Sequence, residues 1–409
     1  MSFTGQDLSG FDEALRIDYL PVIRDQLENS TYLLKKLRKN ERDVSGREWK
    51  LVAHYGRNSG VGAGSETGLP TAGQQSYKNP YGDVKYVRGR IQVSGPVMAA
   101  AKNDKGAIVR ALESEIKGVT RDLEKEINYM LHNDGTAVRA LVNGDPGTAG
   151  TETTITLDAP GTNYFHDGMK IDFLNPSDGA VRTAGDSLTV STVDSSTQLT
   201  LSAVLSGTNT IADNDYVIRE DATDHAGTSY EMMGIKGIID DATYVTTLHN
   251  LSRSSYAWWK ASTFTNDDNS GTNRDLTLDL IQDAITAVEK NGGKTNLILS
   301  NHDLRDAYAA LVIADKRFVN TLDLDGGFKG LEYNGIPWVA DVDCMPNTVF
   351  FIDTEHLEVM QMSSWDWMNK DGAVLSRVAD ADAYEAVLFW YADLATDRPR
   401  AHAFLRDVQ

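Results

Sequence analysis

Residues 107–131, AIVRALESEIKGVTRDLEKEINYML, constrain the fold more than any other stretch. Ile108, Leu112, Ile116, Val119, Leu123, Ile127 and Met130 recur at steps of four and three, which places all seven on one helical face. Arg110, Glu113, Glu115, Lys117, Arg121, Asp122, Glu124, Lys125 and Glu126 make the other face charged. There is no proline, and Gly118 costs only about 1 kcal/mol relative to alanine. At 1.5 Å per residue the helix is roughly 37 Å long. A helix of that length with one narrow apolar stripe reads as a strut: one side grips a sheet, the other meets solvent or a neighbouring subunit. The plainer alternative is a solvated surface helix.

The chain before the strut is not a compact domain. Over 8–39, Ile17, Leu20, Ile23 and Leu27 share a helical face, followed by Leu33, Leu34 and Leu37. Pro21 is expected to break or kink the first turn, leaving a pair of short helices on an arm. Lys35, Lys36, Arg38 and Lys39 are candidates for touching nucleic acid, but a solvated helix end is the simpler reading. Residues 44–98 open as a strand in WKLVAHYG, continue as the Gly/Ser/Asn-rich GRNSGVGAGSETGLPTAGQQSYKNPYGD, and alternate again in VKYVRGRIQVSG. Two strands joined by about 28 flexible residues predict a long two-stranded ribbon. Such a ribbon buries no core of its own and is marginal in isolation, so it is expected to lie on another molecule.

Beyond the strut the texture changes. TTITLDAP, GMKIDFLN, SLTVSTV, QLTLSAVL and DYVIRE are short alternating runs between turn residues. This spacing predicts a small β-sandwich or barrel, rich in Thr, Ser and Asp, set as an insert into an α+β host. Residues 230–265 are mixed and carry Trp258 and Trp259. From Asp275 the host resumes: LTLDLIQDAITAVEK is an amphipathic helix stopped by Asn291-Gly292-Gly293, and TNLILS is a buried strand. Ser300 and Asp303 fit a capping box for a helix over 301–313. GIPWVADVD, NTVFFIDT and HLEVMQM read as strands. AYEAVLFWYADLATDRPRAHAFLRDVQ reads as one or two long strands with Pro399 at a bend or edge.

Composition narrows the function classes. The 409 residues carry a formal charge of −20, which opposes nucleic-acid binding unless the basic residues are segregated. They are partly so, with LLKKLRKNER at 33–42 basic and 150–245 and 265–283 poor in Lys and Arg. Cys344 is the single cysteine, so neither an intrachain disulfide nor a CxxC metal site is available, and its apolar setting predicts an inert thiol. MSFTGQDLSG lacks the regions of a signal peptide, and no apolar run approaches a membrane span. A soluble product, cytoplasmic when made, is expected.

Few motifs survive a test of spacing. The glycines 60, 62 and 64 fail GxGxxG, and no Gly-Lys-Ser/Thr follows them. TLDLDGGFKGLE imitates a calcium loop, with Asp323, Asp325, Gly326 and Glu332 at positions three, five, six and twelve. Thr321 stands where the first acid belongs, and a polar loop is the simpler reading. His302 with Asp303, and His166 with Asp167, are adjacent pairs whose side chains do not converge on one point. GxSxG, HExxH and Walker patterns are absent. No catalytic, cofactor-binding or metal residue is assigned, and no enzyme activity is expected.

The succession of parts resembles the major capsid protein of tailed double-stranded DNA bacteriophages, with the Hong Kong-type capsid fold shared by encapsulins and the herpesvirus capsid floor. Four stretches carry the likeness: GREWKLVAHYGRNSGVGAGSETGLPTAGQQSY, RGRIQVSGPVMAAAKNDKGAIVRALESEI, GLEYNGIPWVADVDCMPNTVFFIDTEHLEVM, and LFWYADLATDRPRAHAFLRDV with Leu394, Pro399, Arg400 and His402 in the family's C-terminal pattern. The resemblance implies an α+β fold divided into an N-terminal helical arm (1–45), an extended β-ribbon loop (46–98), the spine helix and start of the peripheral domain (99–149), an inserted β domain (150–222), the rest of the peripheral domain (223–274), and an axial domain with C-terminal return strands (275–409). It implies hexamers and pentamers of one chain forming an icosahedral or prolate head around double-stranded DNA. Scaffolding, portal and decoration proteins are its implied partners, without cofactor or membrane. The Gly-rich ribbon tip would supply hinges between quasi-equivalent positions. Lys78 and Lys85 are positional candidates for the ribbon crosslink of some members. Alternative readings are an encapsulin-like shell, a tail-tube or adaptor protein, and a β-domain binding module.

Overall fold

The computed structural model describes residues 20–28, 31–64, 68–96, 105–144, 146, 153–204, 211–266, 271–314, 322–323, 329–369 and 374–409. The chain forms two compact units. The first comprises residues 1–49, 83–128 and 359–393, and the second 50–82, 129–358 and 394–409.

The strut is a helix over Lys105–His132, most of it in the first unit. Ile116, Leu123 and Ile127 are buried, while Glu115, Lys117, Arg121, Asp122 and Lys125 are exposed, as the stripe requires. It grips a sheet at Gly89, where a Cβ would stand 2.7 Å from both Leu123 Cδ1 and Val119 Cγ1. Gly89 belongs to the strand Lys85–Ser94, whose inward residues Val87, Gly89 and Ile91 alternate with exposed ones. This strand was expected to be the second limb of the ribbon. It pairs instead with Ala383–Thr396, antiparallel from Lys85↔Ala392 to Ser94↔Ala383. Period-two alternation marks a strand and a buried face but does not name the partner, and the 14-residue C-terminal strand offers a longer ladder than the ribbon does.

The arm also departs from expectation. Leu20–Glu28 is a helix with Pro21 in its first turn, where a missing N–H costs nothing, so the proline opens the helix rather than breaking it. Thr31 caps the short helix Tyr32–Lys36 by accepting from Leu34 N at 3.1 Å. Arg38–Asn40 is then a strand at the edge of the sheet, beside Leu357–Gln361, not the last turn of a helix. Beneath this sheet Trp49 Nε1 donates to Asp393 at 3.2 Å, Trp390 Nε1 donates to Gln361 at 3.1 Å, and Trp365 stacks on Trp390.

Among its described residues, the second unit holds two large sheets with separate cores, besides two-stranded ladders. The larger has seven strands in the order Ser262–Phe264, Ala403–Arg406, Thr348–Ile352, Leu297–Ser300, Ile336–Ala340, Lys329–Tyr333 and Leu322–Asp323. The helices Leu278–Lys290 and His302–Ala314 pack on it through Ile281, Ile285, Val288, Leu304 and Tyr308, against Trp338, Phe351 and Leu405. Gly292, at φ +77°, ends the first helix, a backbone conformation that glycine adopts without strain. The cap of the second is Asn301, which accepts from Leu304 N at 3.1 Å. Ser300, expected in that role, instead accepts from Trp338 Nε1 at 2.8 Å. Pro399 lies in a short 3-10 turn after the long C-terminal strand.

The smaller sheet has strands β1 (Ala140–Leu141), β2 (Thr154–Thr156), β3 (Lys170–Leu174), β4 (Leu188–Val193), β5 (Gln198–Leu201) and β6 (Tyr216–Arg219), in the order β1-β6-β3-β4-β5-β2. A bridge between Val142 and Leu157, with Asn143 N donating to Thr156 O and Asp158 N to Leu141 O, joins the last strand to the first. The sheet is therefore a closed barrel, which leaves no unpaired edge. Val142, Ile155, Ile171, Phe173, Val190, Leu199 and Val217 fill it. Strand β1 is two residues long, too short for alternation to show in the sequence.

Candidate assembly surfaces

The ribbon is a short ladder with a long exposed end. Ala53–Gly56 pairs with Ser76–Lys78 through Ala53↔Lys78, His54↔Tyr77 and Gly56↔Ser76. Its base is fastened within the second unit: Leu51 N donates to Pro80 O at 3.0 Å, Tyr81 N to His249 O at 3.2 Å, and Asn250 Nδ2 to Tyr81 O at 3.1 Å. The Tyr55 ring stacks on Trp258 at 4.7 Å and 7°, and Lys78 Nζ sits 5.3 Å from the centre of the Tyr256 ring. Past this base Val61 is 84% and Leu69 96% exposed, with Val52 and Tyr77 more than half exposed.

The tip glycines act by allowing close approach. Gly60 N donates to Asn58 Oδ1 at 2.7 Å, and a Cβ on Gly73 would come within 2.8 Å of Ser59 N. Neither has a positive φ. The two limbs thus meet at 58–60 and 71–73 in a packed crossing.

The platform under the ribbon is polar and rigid. Arg253, fully buried, donates to Asp240 Oδ2 at 3.0 Å and to the carbonyls of Val245, Ile238 and Trp259. Asp240 also accepts from the backbone N–H groups of Ala242, Thr243, Tyr244 and Val245. Burial pulls the Arg253 guanidinium down to about 10, which leaves it charged at neutral pH. Trp259 Nε1 donates to Leu248 O at 3.0 Å. Burial, then the Arg253 charge, pull His249 down to about 3. A buried pair whose polar atoms are all engaged fixes one conformation, and the residues that seat the ribbon, 249–258, hang on this knot.

The positions tested from sequence stay apart. In the calcium-like stretch, Thr321, Asp325 and Gly326 lie outside the described residues, and Leu322–Asp323 pairs with Lys329–Gly330 as a hairpin, not as the helix pair of an EF-hand. His302 and Asp303 are exposed in the first turn of their helix. His166 Nδ1 lies 3.1 Å from Asp167 O, while Asp167 accepts from Val193 N at 2.9 Å, so both serve a turn. Cys344 is buried, and burial pushes its thiol well up, against nucleophilic use. Sequence reading passed over Asp172, Asp221 and His225, whose ligand atoms lie within 4.8 Å of one another. Asp172 already accepts from Ser187 N at 2.8 Å and Asp221 N at 3.0 Å, and its burial raises its pKa. The three hold together the turns that follow β3 and β6. Their spacing in sequence carried no signal.

The model of the SU10 major capsid protein family matches residues 65–409. The chain belongs to this family. No curated protein matches it in sequence. Among solved structures, the capsid asymmetric unit of cyanophage A-1(L) is 14% identical over 91% of this chain and 90% of that one, at a TM-score of 0.53, and this likeness fixes the fold. The capsid of the native GTA particle (9% identity, 93% and 91% covered, TM-score 0.48) and the holo-SrpI encapsulin of Synechococcus elongatus PCC 7942 (10%, 100% and 97%, 0.46) are also similar, at scores that carry no argument.

The capsid protein is a subunit of a phage head shell. Family and fold both point to a structural, non-enzymatic role and to a place in the virion. That role accounts for large apolar side chains left in water on a firmly anchored ribbon: a subunit that works by self-assembly exposes the surfaces its neighbours cover.

Proposed function

We propose that the capsid protein assembles by laying its ribbon, residues 57–75, across a neighbouring subunit, and that hexamers and pentamers so joined enclose double-stranded DNA. The observation that carries this reading is the contrast along the ribbon itself: a base stacked on Trp258 and bonded to His249, then Val61 and Leu69 in solvent. Scaffolding and portal proteins take part, and assembly runs in the host cytoplasm. We also read 1–45 as an arm, 150–222 as an insert, and 275–409 as the axial domain that meets its copies at the capsomer centre. The barrel, closed and rich in Thr, Ser and Asp, faces outward.

The test is deletion of 58–75, which spares the ladder and the Tyr81 anchor. The expected product keeps its far-UV spectrum and melting temperature but sediments as subunits or small oligomers, with no shells by negative-stain imaging. Shells of normal size and yield from this variant would refute the ribbon's role.

A further inference from the structure

The sheet of the first unit has a second face. On the strand Lys85–Ser94, the residues alternating with Val87, Gly89 and Ile91 point away from the spine helix: Tyr86, Arg88, Arg90 and Gln92, all exposed. Across the ladder stand Tyr391, opposite Tyr86, and Phe389, opposite Arg88. Tyr86 meets Tyr391 edge-on at 5.0 Å, and Phe389 lies 4.8 Å from Tyr391. Arg88 lies over both tyrosines, its Cζ 5.4 Å and 6.0 Å from their ring centres, and among the described residues it has no carboxylate partner. Arg90 is paired with Glu385.

A solvent-facing side of an antiparallel sheet is ordinarily polar. Three clustered aromatics with an arginine laid across them are instead the composition of a protein–protein interface core. Charge indicates the partner. The second unit carries 37 acidic against 20 basic residues, the first 22 against 19, so the second unit holds nearly all of the chain's negative charge. Nucleic acid fits less well. Phosphate binding needs several unneutralised cations in a row, and here Arg90 is already compensated by Glu385, leaving Arg88 alone between rings.

We propose that this face is buried, in the shell, against the acid-rich unit of a second copy of the chain, with Arg88 as its central charged contact. This rests on the shell reading above and names a surface that the ribbon does not supply.

The test uses the chain's one native thiol being buried. Gln92→Cys places a single reactive cysteine at the edge of the face. Maleimide labelling is timed on unassembled subunits, empty shells and DNA-filled shells. Labelling that is fast in subunits and at least ten-fold slower in both shells is the expected result. Slow labelling only in filled shells would assign the face to nucleic acid and overturn the proposal. Equal rates in all three, fast or slow, would overturn it as well. In parallel, Arg88→Glu is expected to raise the concentration needed for assembly at least ten-fold with an unchanged melting temperature, and unchanged assembly would count against the proposal. Failure of the unsubstituted chain to form shells would strike the shell reading instead.

Discussion

The barrel and the ribbon belong to the same compact unit and solve opposite problems. The barrel bonds every strand to a neighbour on both sides, closes at Val142–Leu157, and fills its interior with Phe173, Val190 and Val217. It is complete within one subunit. The ribbon has one short ladder, no core, and Val61 and Leu69 in water. On the reading proposed above, another molecule completes it. What differs is where the apolar surface goes: inward in the barrel, outward in the ribbon. A substitution in one should therefore register in folding, and in the other in assembly.

Removing the ribbon past its ladder sets the upper limit, loss of shells without loss of fold. The mirror experiment is Phe173→Ala. Phe173 is fully buried, with Gly185 packed against it, and truncating such a ring costs about 3–5 kcal/mol. Thermal unfolding is expected to show this loss, while subunits kept below the transition assemble at the normal rate. Defective assembly of well-folded Phe173→Ala would break the division between the two regions.

Acid acts on buried histidines of the same unit, one in the ribbon's platform and one beside the seven-stranded sheet. His249 and His402, both buried, are pulled down to about 3 by burial, aided by the charges of Arg253 and His356 respectively. Their folded pKa values lie below the unfolded value near 6.5, so the unfolded chain takes up protons first. Stability contributed by each neutral ring is intact above about pH 6.5 and falls by roughly 1.4 kcal/mol per pH unit below it. His356 works the other way: the hydrogen bond to Asp397 raises its pKa, a contribution held at low pH and lost as pH rises through the folded value. Two against one, melting temperature should drop as pH goes from 6.5 to 4. A flat profile in the His402→Gln variant would identify His402 as the main source, and an unchanged slope would exclude it. The smallest folding effect is expected from Leu69→Ser. At 96% exposure it should change subunit stability by less than about 0.5 kcal/mol while slowing assembly measured by light scattering.

Much of this was legible in the chain. The strut, five of the six barrel strands, the helix over 278–290 and the exposed ribbon all follow from periodicity and turn chemistry, because burial repeats locally every 3.6 or 2 residues. What sequence could not supply was pairing. Lys85–Ser94 alternates perfectly well as a ribbon limb, yet its partner lies some three hundred positions away in Ala383–Thr396. The same limit hid the seat of the ribbon. Tyr55, Trp258 and His249 are unremarkable singly and meet only through the Arg253–Asp240 knot, whose members have no motif. Caps were missed by one residue, Asn301 for Ser300, since both side chains offer an oxygen and only packing of Trp338 decides between them.

The chain enters the barrel on β1 and leaves it on β6, and these two strands are bonded to each other at Ala140↔Val217 and Leu141↔Tyr216. The two ends of about eighty residues therefore lie side by side, and the barrel also touches the rest of its unit where Tyr164 Oη donates to Asp343 O at 3.1 Å. A different passenger could be joined at the same two points, with loss of that contact. On the shell reading proposed above, every copy in a head would then carry the new passenger.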